Sequence, residues 1–484
     1  MKLSHCIEEL SILEQLGSVD REISSICFDS RQAAPSCLFV AQKGSRSDGH
    51  DYIPEVVAKG ASVVVCENLP SEISPEVAYI RTDNSNLALG LISAAWFGHP
   101  SRKLQLIGVT GTNGKTTIAS LLYNTFKALG YKAGLLSTIC VRVDEQELPA
   151  THTTPDAYAI NSLLSQMLEA GCDYAFMEVS SHAVDQDRIA GLRFVGGIFT
   201  NLSHDHLDYH KTVEAYLKAK KSFFDRLPAE AFALTNADDK NGLVMLQNCR
   251  ASRYTYSSRS MADFRARLLE THLDGMQLDF GGQEVHVRFI GKFNVSNLLA
   301  VYGAAILLGM DAQEVLRIMS DLRPVSGRLE FLNSPGGFVA IVDYAHTPDA
   351  LKNVLQTLTQ IRKQGKIISV VGAGGNRDKT KRPEMALEAV RASDNLILTS
   401  DNPRFEEPQA ILDDMYAGVP AEARKKVLCI LDRREAIRTA CKLAAKGDFV
   451  LVAGKGHEDY QDIKGHKYPF DDKKIIAEIF KEML

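Results

Sequence analysis

Short apolar runs alternate with amphipathic stretches along most of the chain, and this order is typical of strands followed by helices. In the first hundred residues the runs at 37–41, 61–67 and 77–82 predict strands. The apolar stretch at 86–98 predicts a helix, because a glycine ends it and a proline follows two residues later. This stop signal places a domain boundary near residue 100.

The strand–helix order resumes in the middle of the chain. A strand at 103–110 leads through a glycine-rich turn into a helix at 116–129, and further strands follow at 172–179 and 195–201. Such alternation predicts a parallel sheet with helices on both faces. Near 251–291, short alternating segments with Gly-Gly turns predict a β excursion within the same domain.

A third α/β segment follows a predicted helix at 295–308 and a linker at 324–327. Its apolar runs start again at residue 337, and polar residues follow several of them. A length of 484 residues fits three domains at roughly 150 residues each. The sequence therefore predicts an α/β protein with domains at 1–99, 100–325 and 326–484.

The composition narrows the classes of function. Hydrophobic residues make up 45% and charged residues 24% of the chain, which excludes a disordered protein. The formal net charge of −5 gives no general reason to bind nucleic acid or an anionic membrane. We therefore expect partners that are small molecules.

Three features indicate a cytoplasmic protein. Nine cysteines without a C-x-x-C pair fit a reducing compartment. Glu8 and Glu9 occupy the place where a signal peptide needs apolar residues. The longest nearly apolar run, at 87–98, is too short to span a membrane. We expect a cytoplasmic monomer that does not contact membranes.

The strongest chemical signal is the glycine-rich turn between a predicted strand and a predicted helix. Backbone amides of such a turn bind phosphates, its lysine reaches the terminal phosphates, and a threonine hydroxyl can hold Mg²⁺. The usual pattern has a glycine where this chain has Val109, so an ordinary strand–turn–helix corner is the alternative. The context on both sides favours a nucleotide-binding loop formed by Gly111, Thr112, Asn113, Gly114, Lys115, Thr116 and Thr117.

Acidic and histidine residues follow two later strands of the same domain. Glu178 ends an apolar strand, and a carboxylate at that place beside a phosphate loop suits a Mg²⁺ ligand. Three His and two Asp lie within seven residues at 204–210. Zinc is the alternative for this cluster, but no cysteine joins it and the phosphate loop favours magnesium. We expect one of the histidines, not all of them, to bind the metal.

Lys220 lies on the apolar stripe of a helix predicted at 212–227. A lysine held in an apolar face has a lowered pKa, and its neutral amine is a nucleophile. The alternative, which spacing alone favours, is a side chain whose ammonium reaches water along its apolar stem. The predicted stripe consists of Val213, Leu217, Phe224 and Leu227.

Polar loops follow the strands of the last domain, and ligands of open α/β sheets bind at this edge. The segment 374–383 carries four cations in six residues, for which a solvated charge run is the default interpretation. It lacks the third glycine of the dinucleotide fingerprint, so a nicotinamide site is a poor interpretation. A proline-fixed turn presents Arg404, and a further polar loop lies at 454–458. Several such loops indicate an anionic substrate that carries carboxylates.

Eight ordered motifs resemble those of the Mur ligases of bacterial peptidoglycan synthesis, and most closely those of members that add diaminopimelate. The motifs are GTNGKTT, MEVSSHAVDQDR, NLSHDHLDYH, AYLKAKKSFF, DYAHTPDAL, GGNRDKTKRP, DNPR and AGKGHEDYQ. The resemblance covers the whole chain and is weakest between about residues 240 and 290. It implies an N-terminal domain for a UDP-sugar nucleotide, a central domain with a parallel sheet of the P-loop ATPase type, and a C-terminal Rossmann-like domain for an amino acid.

The resemblance also implies which residues bind each substrate. For ATP, the matching positions beyond the phosphate loop are Asn294, Asn297, Arg328 and Asp343. For UDP-MurNAc-L-Ala-D-Glu, they are Ser30, Ser45, Arg46, Ser47, Thr153, Thr154, Ser180, Gln186 and Arg188. For meso-diaminopimelate, they are Arg377, Asp401, Asn402, Pro403, Arg404, Gly454 and Glu458.

The implied catalytic group consists of Lys115, Lys220, Glu178 and His206. Lys220 matches a lysine that is carbamylated by CO₂ (N6-carboxylysine), which overturns the interpretation that its ammonium reaches water. The implied Mg²⁺ ligands are Thr116, Glu178, His206 and the carbamate on Lys220.

The implied reaction is ATP-dependent formation of an amide bond through an acyl phosphate. There are two alternatives, a sister enzyme and a protein of another functional class. Folylpolyglutamate synthase, a sister enzyme, should lack the UDP-muramoyl segments and the DNPR loop, and this chain has both. A non-enzymatic P-loop regulator would need neither Lys220 nor the histidine cluster.

Overall fold

The computed structural model describes residues 1–44, 47–272, 274–362 and 364–483. The chain folds into three α/β units, each built around one largely parallel sheet, of five, nine and six strands. This confirms the predicted α/β class with three domains, whereas the boundaries at residues 99 and 325 stay predictions. None of the helices in these ranges is long and apolar enough to cross a membrane.

The first unit contains the five-stranded sheet, in which the first strand of the chain is antiparallel to its neighbour. In sheet order the strands are Glu14–Leu16, Ala78–Arg81, Val63–Cys66, Leu38–Val40 and Ile26–Cys27. The helices are Leu3–Ile7, Ile53–Ala58 and Ser85–Trp96, with short 3₁₀ helices at Ser30–Gln32, Gly49–Tyr52 and Pro100–Arg102.

The helix predicted at 86–98 is confirmed with small shifts at both ends. It begins at Ser85 because the side chain of Asn84 accepts a hydrogen bond from the amide of Leu87 and caps the first turn. It ends at Trp96, shortly before Gly98 takes a φ of 69°. A glycine adopts this left-handed conformation without strain, so the helix ends near Gly98 as the sequence predicted.

The central unit contains the nine-stranded sheet. In sheet order its strands are Phe264–Arg265, Ser252–Ser257, Phe232–Asn236, Gly196–Phe199, Gln105–Thr110, Tyr174–Glu178, Ala133–Leu136, Cys140–Val143 and Gln146–Pro149. The first seven are parallel, and the last two pair antiparallel. The helices are Lys115–Ala128, Ala157–Glu169, Ser181–Asp185, Leu207–His210, Val213–Asp225, Gly242–Met245, Lys292–Leu307 and Ala312–Asp321.

Two apolar cores cover the two faces of this sheet. On one face, the helix Val213–Asp225 approaches the central strand Gln105–Thr110 very closely. A Cβ atom at Gly108 would lie 2.6 Å from the ring of Phe223, so the position needs a glycine. This close packing brings the helix that carries Lys220 against the strand that leads into the phosphate loop.

The β excursion predicted at 251–291 is smaller than expected. Ser252–Ser257 pairs in parallel with Phe232–Asn236 and therefore extends the main sheet. A separate antiparallel sheet is formed by Arg267–His272, Gly275–Phe280 and Gln283–Val287. The sequence misled here because a strand near the edge of a sheet mixes exposed and buried residues much as a hairpin does.

The last unit contains the six-stranded sheet, whose first strand is antiparallel to the rest. In sheet order the strands are Glu330–Asn333, Val339–Asp343, Phe449–Ala453, Ile367–Ala373, Asn395–Ser400 and Val427–Cys429. The helices are Pro348–Ile361, Lys381–Ala392, Pro408–Tyr416, Arg433–Leu443 and Asp472–Glu482, with a 3₁₀ helix at Ala421–Lys426. A hairpin of Tyr460–Ile463 and His466–Pro469, which the sequence did not predict, lies after the last strand.

A buried ion pair joins two helices of the last unit. The side chains of Arg433 and Asp472 are both 0% exposed and share hydrogen bonds of 2.9 and 2.7 Å. Arg433 also donates to the carbonyl of Ala453 at 3.1 Å. Because a lone buried charge is not compensated, each partner of such a pair depends on the other.

We expect Asp472→Ala to lower the free energy of unfolding of the last unit by about 3–5 kcal/mol, since it leaves a buried guanidinium without a counter-ion. Urea-dependent hydrogen exchange at the amides of Phe449–Ala453 in the full chain measures this change. Glu478→Ala is the control: its partner Arg434 is 43% exposed, and we expect a loss of at most about 1 kcal/mol. Equal losses for the two variants would contradict the prediction.

Candidate functional site

The carboxyl ends of the central and last sheets contribute to one cavity of about 1020 Å³. Tyr344, His346 and Asp349 from the last unit line it opposite the phosphate loop. The cavity also contains many of the residues that the sequence predicted for a nucleotide: Asn113, Gly114, Thr117, Asn294, Asn297, Arg328 and Asp343.

The phosphate loop is held in one conformation by the neighbouring strand end. The side-chain oxygen of Asn201 accepts from the amide of Asn113 at 2.9 Å, and the hydroxyl of Thr200 donates to the Asn113 carbonyl at 2.6 Å. Gly111 and Gly114 have φ of 150° and 90°, and added Cβ atoms would lie 1.8 and 2.6 Å from neighbouring side-chain atoms. The loop therefore needs its glycines, and its helix begins at Lys115, one residue before the predicted start at Thr116.

Two lysines meet at the carbonyl oxygen of Gly111. Lys115 Nζ donates to it at 3.0 Å and to the carbonyl of Thr112 at 2.9 Å. Lys220 Nζ donates to the same Gly111 oxygen at 2.8 Å and lies 4.5 Å from the centre of the Tyr216 ring. Burial, and then the positive charge of Lys115, hold the pKa of Lys220 well below its usual value.

The interpretation that Lys220 reaches water is wrong, because its side chain is 1% exposed. One member of the predicted stripe is also wrong: Val213 is 48% exposed at the first turn of the helix. The face that is buried is shifted around the helix and consists of Tyr216, Ala219, Lys220, Phe223 and Phe224.

Glu178 presents one carboxylate oxygen that no hydrogen bond satisfies among the described residues. Its Oε1 accepts from the amide of Thr138 at 2.7 Å, whereas its buried Oε2 has no partner. A buried carboxylate oxygen in this state suits a cation, because an unpaired buried acceptor is costly. This observation supports the predicted metal role of Glu178.

The histidines of the segment 204–210 lie in different surroundings. Burial lowers the pKa of His206 to about 3, although the carboxylate of Asp205 opposes the shift, so its imidazole is neutral and can donate a lone pair. His210 Nε2 shares a hydrogen bond of 2.9 Å with the hydroxyl of Ser181, and His204 Nε2 lies 3.1 Å from a carboxylate oxygen of Asp378. Of the three, His206 is the one whose surroundings fit a ligand role.

The residues present fit a magnesium ion held partly by oxygen ligands. No group of three His, Cys, Asp or Glu side chains lies at metal-binding spacing in the described parts of the chain. Glu178 and His206 would therefore need Thr116 and an oxygen group on Lys220, or substrate oxygens, to complete the shell. The Thr116 hydroxyl is buried and lies 3.4 Å from the guanidinium of Arg328.

The predicted nucleotide residues of the later segments are brought together around Arg328 and Asp343. Asp343 accepts from the amides of Leu329 and Ala345 at 2.8 and 2.7 Å, and burial raises its pKa while the Arg328 guanidinium opposes the shift. Asn297 donates to Asn294 at 3.0 Å. The Arg328 guanidinium lies 4.6 Å from the centre of the Tyr344 ring.

Four of the residues predicted for the muramoyl-peptide end form one hydrogen-bonded network beside Glu178. Thr154 donates to the Glu178 carbonyl at 2.8 Å and accepts from the amide of Ser180. Arg188 donates to Gln186 at 2.6 Å and to the Thr154 carbonyl at 2.9 Å. Thr153 lies next to this network, bonded to Thr138 at 3.0 Å.

The residues predicted for the UDP part lie in the first unit. Ser30 is buried at the start of a 3₁₀ helix, and its carbonyl accepts from Lys59 at 2.8 Å. Ser47 is exposed, and its carbonyl accepts from the amide of Gly44. Ser45 and Arg46 lie outside the described residues.

The loops predicted for the amino acid meet at the carboxyl edge of the last sheet. Asn402 donates to Glu458 at 2.7 Å, and a Cβ atom at Gly454 would lie 2.4 Å from a carboxylate oxygen of Asp401. Pro403 is followed by Arg404 with a φ of 52°, and the Arg404 guanidinium donates to the Gly375 carbonyl at 2.7 Å. No other hydrogen bond of this guanidinium is found among the described residues.

The segment 374–383 is a solvated charge run only in part, because Arg377 and Lys379 are exposed whereas Lys381 and Arg382 are buried. Arg382 is 1% exposed and pairs with Glu406 and Asp414 at 2.9 and 2.8 Å. The sequence misled because Arg382 lies in the first turn of the helix Lys381–Ala392, on the face that packs inward.

Contacts between the central and last units were not predictable from the sequence. Lys381 lies 3.5 Å from Asp205, and Asn113 donates to Asp349 at 3.2 Å. Within the last unit, the sequence also showed no sign of a role for Lys455, whose ammonium is fully buried between Asn402 and Glu458. In each case the partners are far apart in the chain or hidden in a glycine-rich loop, so no local pattern marks them.

Comparisons with known proteins agree with this geometry. Three family profiles match the chain: "Mur ligase family, catalytic domain" at 22–95, "Mur ligase middle domain" at 109–305, and "Mur ligase, glutamate ligase domain" at 327–456. The UDP-N-acetylmuramoyl-L-alanyl-D-glutamate–2,6-diaminopimelate ligase of Bacteroides fragilis is 59% identical over 481 residues, which cover 99% of each chain.

Two solved structures are also similar. One, a UDP-N-acetylmuramoyl-L-alanyl-D-glutamate–2,6-diaminopimelate ligase, has a TM-score of 0.68 at 30% identity and covers 100% of this chain and 99% of its own. A folylpolyglutamate synthase of Mycobacterium tuberculosis has a TM-score of 0.63 at 18% identity and covers 77% of this chain and 93% of its own, which shows a shared fold alone. The full-length match to the Bacteroides enzyme and the three successive profiles show that the chain belongs to the Mur ligase family.

Proposed function

We propose that this chain is an ATP-dependent ligase that adds meso-diaminopimelate to UDP-N-acetylmuramoyl-L-alanyl-D-glutamate in peptidoglycan synthesis. One observation carries the proposal: the phosphate loop of the central unit faces the strand-end loops of the last unit. Tyr344 lines the nucleotide cavity and its hydroxyl lies 3.4 Å from Glu458, while Lys381 pairs with Asp205. An amide ligase needs the phosphate loop to face the amino-acid loops, because nucleotide, carboxylate and amine must react in one place.

The first step activates the carboxylate. A carboxylate oxygen of the D-glutamate attacks the γ-phosphorus of ATP, the bond to the β-phosphate oxygen breaks, and ADP leaves. Lys115 and the amides of the phosphate loop stabilise the charge that develops on the transferring phosphoryl group. Magnesium held by Thr116, Glu178 and His206 would supply further positive charge for the phosphate oxygens.

The second step forms the amide. The neutral amine of diaminopimelate attacks the acyl carbon, inorganic phosphate leaves, and the amine loses its proton. The network of Thr154, Ser180, Gln186 and Arg188 beside Glu178 would hold the D-glutamate end, and the first unit would hold the UDP group through Ser30 and the loop around Ser47. An assay that detects the amide product when all three substrates are present, and ATP-dependent phosphate release only then, tests the function.

The buried Lys220 supports a carbamate at this position. Its neutral amine would attack CO₂, form a bond between Nζ and carbon, and release a proton. The product is an anion beside the ammonium of Lys115, so it replaces a repulsion between two lysines by an attraction. The new oxygen atoms add the acceptors that the magnesium shell lacks.

Arg404 supports the choice of diaminopimelate over lysine. The two amino acids differ in one carboxylate beside the distal amine, and a guanidinium binds a carboxylate with two parallel hydrogen bonds. When lysine binds instead, the N–H groups of Arg404 that face this carboxylate lose that partner, which lowers affinity. Arg377, Asp401, Asn402, Pro403, Gly454 and Glu458 would form the rest of this pocket.

We expect Lys115→Ala to lower kcat on the order of 10³-fold, because it removes a cation from the transferring phosphoryl group. Binding of the UDP substrate, measured by calorimetry, should largely survive, since Ser30 and Ser47 lie in another unit. A parallel loss of rate and of UDP-substrate affinity would contradict this division between units.

Lys220→Ala should be nearly inactive, and small carboxylic acids such as acetate should partly restore its rate, because they replace an anion rather than a cation. Lys221→Ala is the matched control, since Lys221 pairs with Asp225 on the neighbouring position of the helix. Steady-state rates with and without acetate measure the effect. An active Lys220→Arg variant would refute the carbamate.

Arg404→Ala should cost about 2–5 kcal/mol in kcat/KM for meso-diaminopimelate and leave the slow hydrolysis of ATP little changed. Arg391→Ala, at a 64% exposed arginine of the same unit, serves as the control. The comparison of kcat/KM for diaminopimelate and lysine decides the selectivity. A wild-type enzyme that adds both equally well would contradict the assignment of Arg404.

A further inference from the structure

Lys455 is a buried cation in the pocket proposed for diaminopimelate, and it has no role in the proposed reaction. Its side chain is 0% exposed. Its Nζ lies 3.1 Å from Glu458 Oε2, 3.1 Å from Asn402 Oδ1 and 3.9 Å from Asp401 Oδ1. A buried ammonium needs such partners; the first two contacts are hydrogen bonds, and the contact to Asp401 is a longer attraction between opposite charges. Because Lys455 is fully buried, a substrate would reach its ammonium only by displacing one of these partners.

Lys455 and Asn402 donate hydrogen bonds to the same oxygen of Glu458. Asn402 Nδ2 donates to Glu458 Oε2 at 2.7 Å, beside the contact from Lys455. The other oxygen, Oε1, has the Tyr344 hydroxyl as its hydrogen-bond partner, at a long distance of 3.4 Å. Oε1 is thus the oxygen with capacity to accept a further donor, and Oε2 anchors the carboxylate.

Lys455 also favours the ionised form of the Glu458 carboxylate. Burial raises the pKa of Glu458, the nearby carboxylate of Asp401 raises it further, and Lys455 and Asn402 oppose the shift. Tyr344 faces the same carboxylate from the neighbouring strand, Tyr460 from the hairpin, and the buried Arg433 from behind the sheet. Among these, Lys455 is the cation in direct contact with Glu458.

We propose that Lys455 is a positioning residue for amino-acid selection: it fixes the Glu458 carboxylate so that Oε1 receives an ammonium group of the incoming diamino acid. The inference rests on the proposed function, because it takes Glu458 as the acceptor for that substrate. Lys455 touches no substrate itself. It ties the loop 454–458 to the loop 401–404, so that the acceptor Glu458 and the guanidinium of Arg404 keep a fixed separation.

The test compares Lys455→Met with Lys467→Met. Lys467 lies on the hairpin with its ammonium 4.1 Å from the centre of the Tyr460 ring and is exposed, so its loss removes a lysine from the same neighbourhood without touching Glu458. We expect Lys455→Met to raise KM for meso-diaminopimelate about 10- to 100-fold. KM for ATP and for the UDP substrate should stay within about twofold, and Lys467→Met should resemble the wild type.

The pH profile separates positioning from damage to the fold. Without Lys455 the pKa of Glu458 rises, so the carboxylate is protonated over a wider acidic range. KM for diaminopimelate in Lys455→Met should therefore fall as pH rises, and this fall should extend to higher pH than in the wild type. A loss of the same size at every pH, or a KM unchanged from the wild type, would overturn the proposal.

A double-variant comparison tests whether Lys455 acts through Glu458. Glu458→Gln should raise KM for diaminopimelate, and Lys455→Met combined with Glu458→Gln should be no worse than Glu458→Gln alone. Additive losses would overturn the inference. If the wild type forms the amide but Glu458→Gln leaves KM unchanged, the inference fails and the proposed function stands; a wild type that forms no amide with diaminopimelate refutes the proposed function.

Discussion

The carbonyl oxygen of Gly111 accepts hydrogen bonds from the buried Lys220 and the half-buried Lys115, and the rest of the site depends on this shared acceptor. Away from bulk solvent, two ammonium groups that donate to one oxygen repel each other strongly. Lys115 begins the helix of the phosphate loop and lies within electrostatic range of Glu178 and Asp205, so it is the one that keeps its charge more easily. Burial first, and then the neighbouring cation Lys115, lower the pKa of Lys220 and drive it toward the neutral amine.

The position of Lys220 follows from packing and not from electrostatics. Gly108 lets the ring of Phe223 lie against the central strand, and Phe223 is one turn from Lys220 on the same helix face. The helix therefore cannot move away to relieve the repulsion without opening the apolar core on that side of the sheet. The hydrophobic core thus holds the amine of Lys220 close to Lys115. An exposed lysine would instead move away from the neighbouring cation.

At the interface between the central and last units, burial again fixes two charged side chains, but here their charges are opposite. Asp205 and Lys381 are each about 6% exposed and face each other across the two sheets. Two residues with proposed roles lie close by in the sequence: His206 follows Asp205, and Arg377 lies shortly before Lys381. Because a buried ion pair fixes its two partners, this contact sets the distance between the phosphate chemistry and the loops for the amino acid.

The sequence predicted the sheets and the phosphate loop well, for a physical reason. Parallel strands are buried on both faces and read as continuous apolar runs, and a glycine-rich turn between strand and helix has few other uses. It predicted the burial of Lys220 less well, because helical spacing defines a stripe but not which stripe packs inward. Val213 shows this: it lies on the predicted stripe and is 48% exposed.

What the sequence could not predict are partners that meet only in the folded chain. Lys381 and Asp205 are 176 positions apart, and Lys455 meets Asn402 across 53 positions. Arg382 looked like part of a solvated run because its partners Glu406 and Asp414 lie in later segments. Buried cations of this kind carry no local signature, since a lysine or arginine in a polar loop is most often solvated.

Three of the buried polar atoms that the described residues leave unpaired lie where the reaction is proposed, whereas others, such as Ser62 Oγ and Asn161 Oδ1, lie elsewhere in the fold. Glu178 Oε2, Arg328 Nε and His457 Nδ1 are all buried without a hydrogen-bond partner. Each such atom costs about 1–3 kcal/mol in the folded state. At these three positions the substrates or the metal would bring new partners to the unpaired atoms. Binding would then recover part of the free energy that folding leaves unused there.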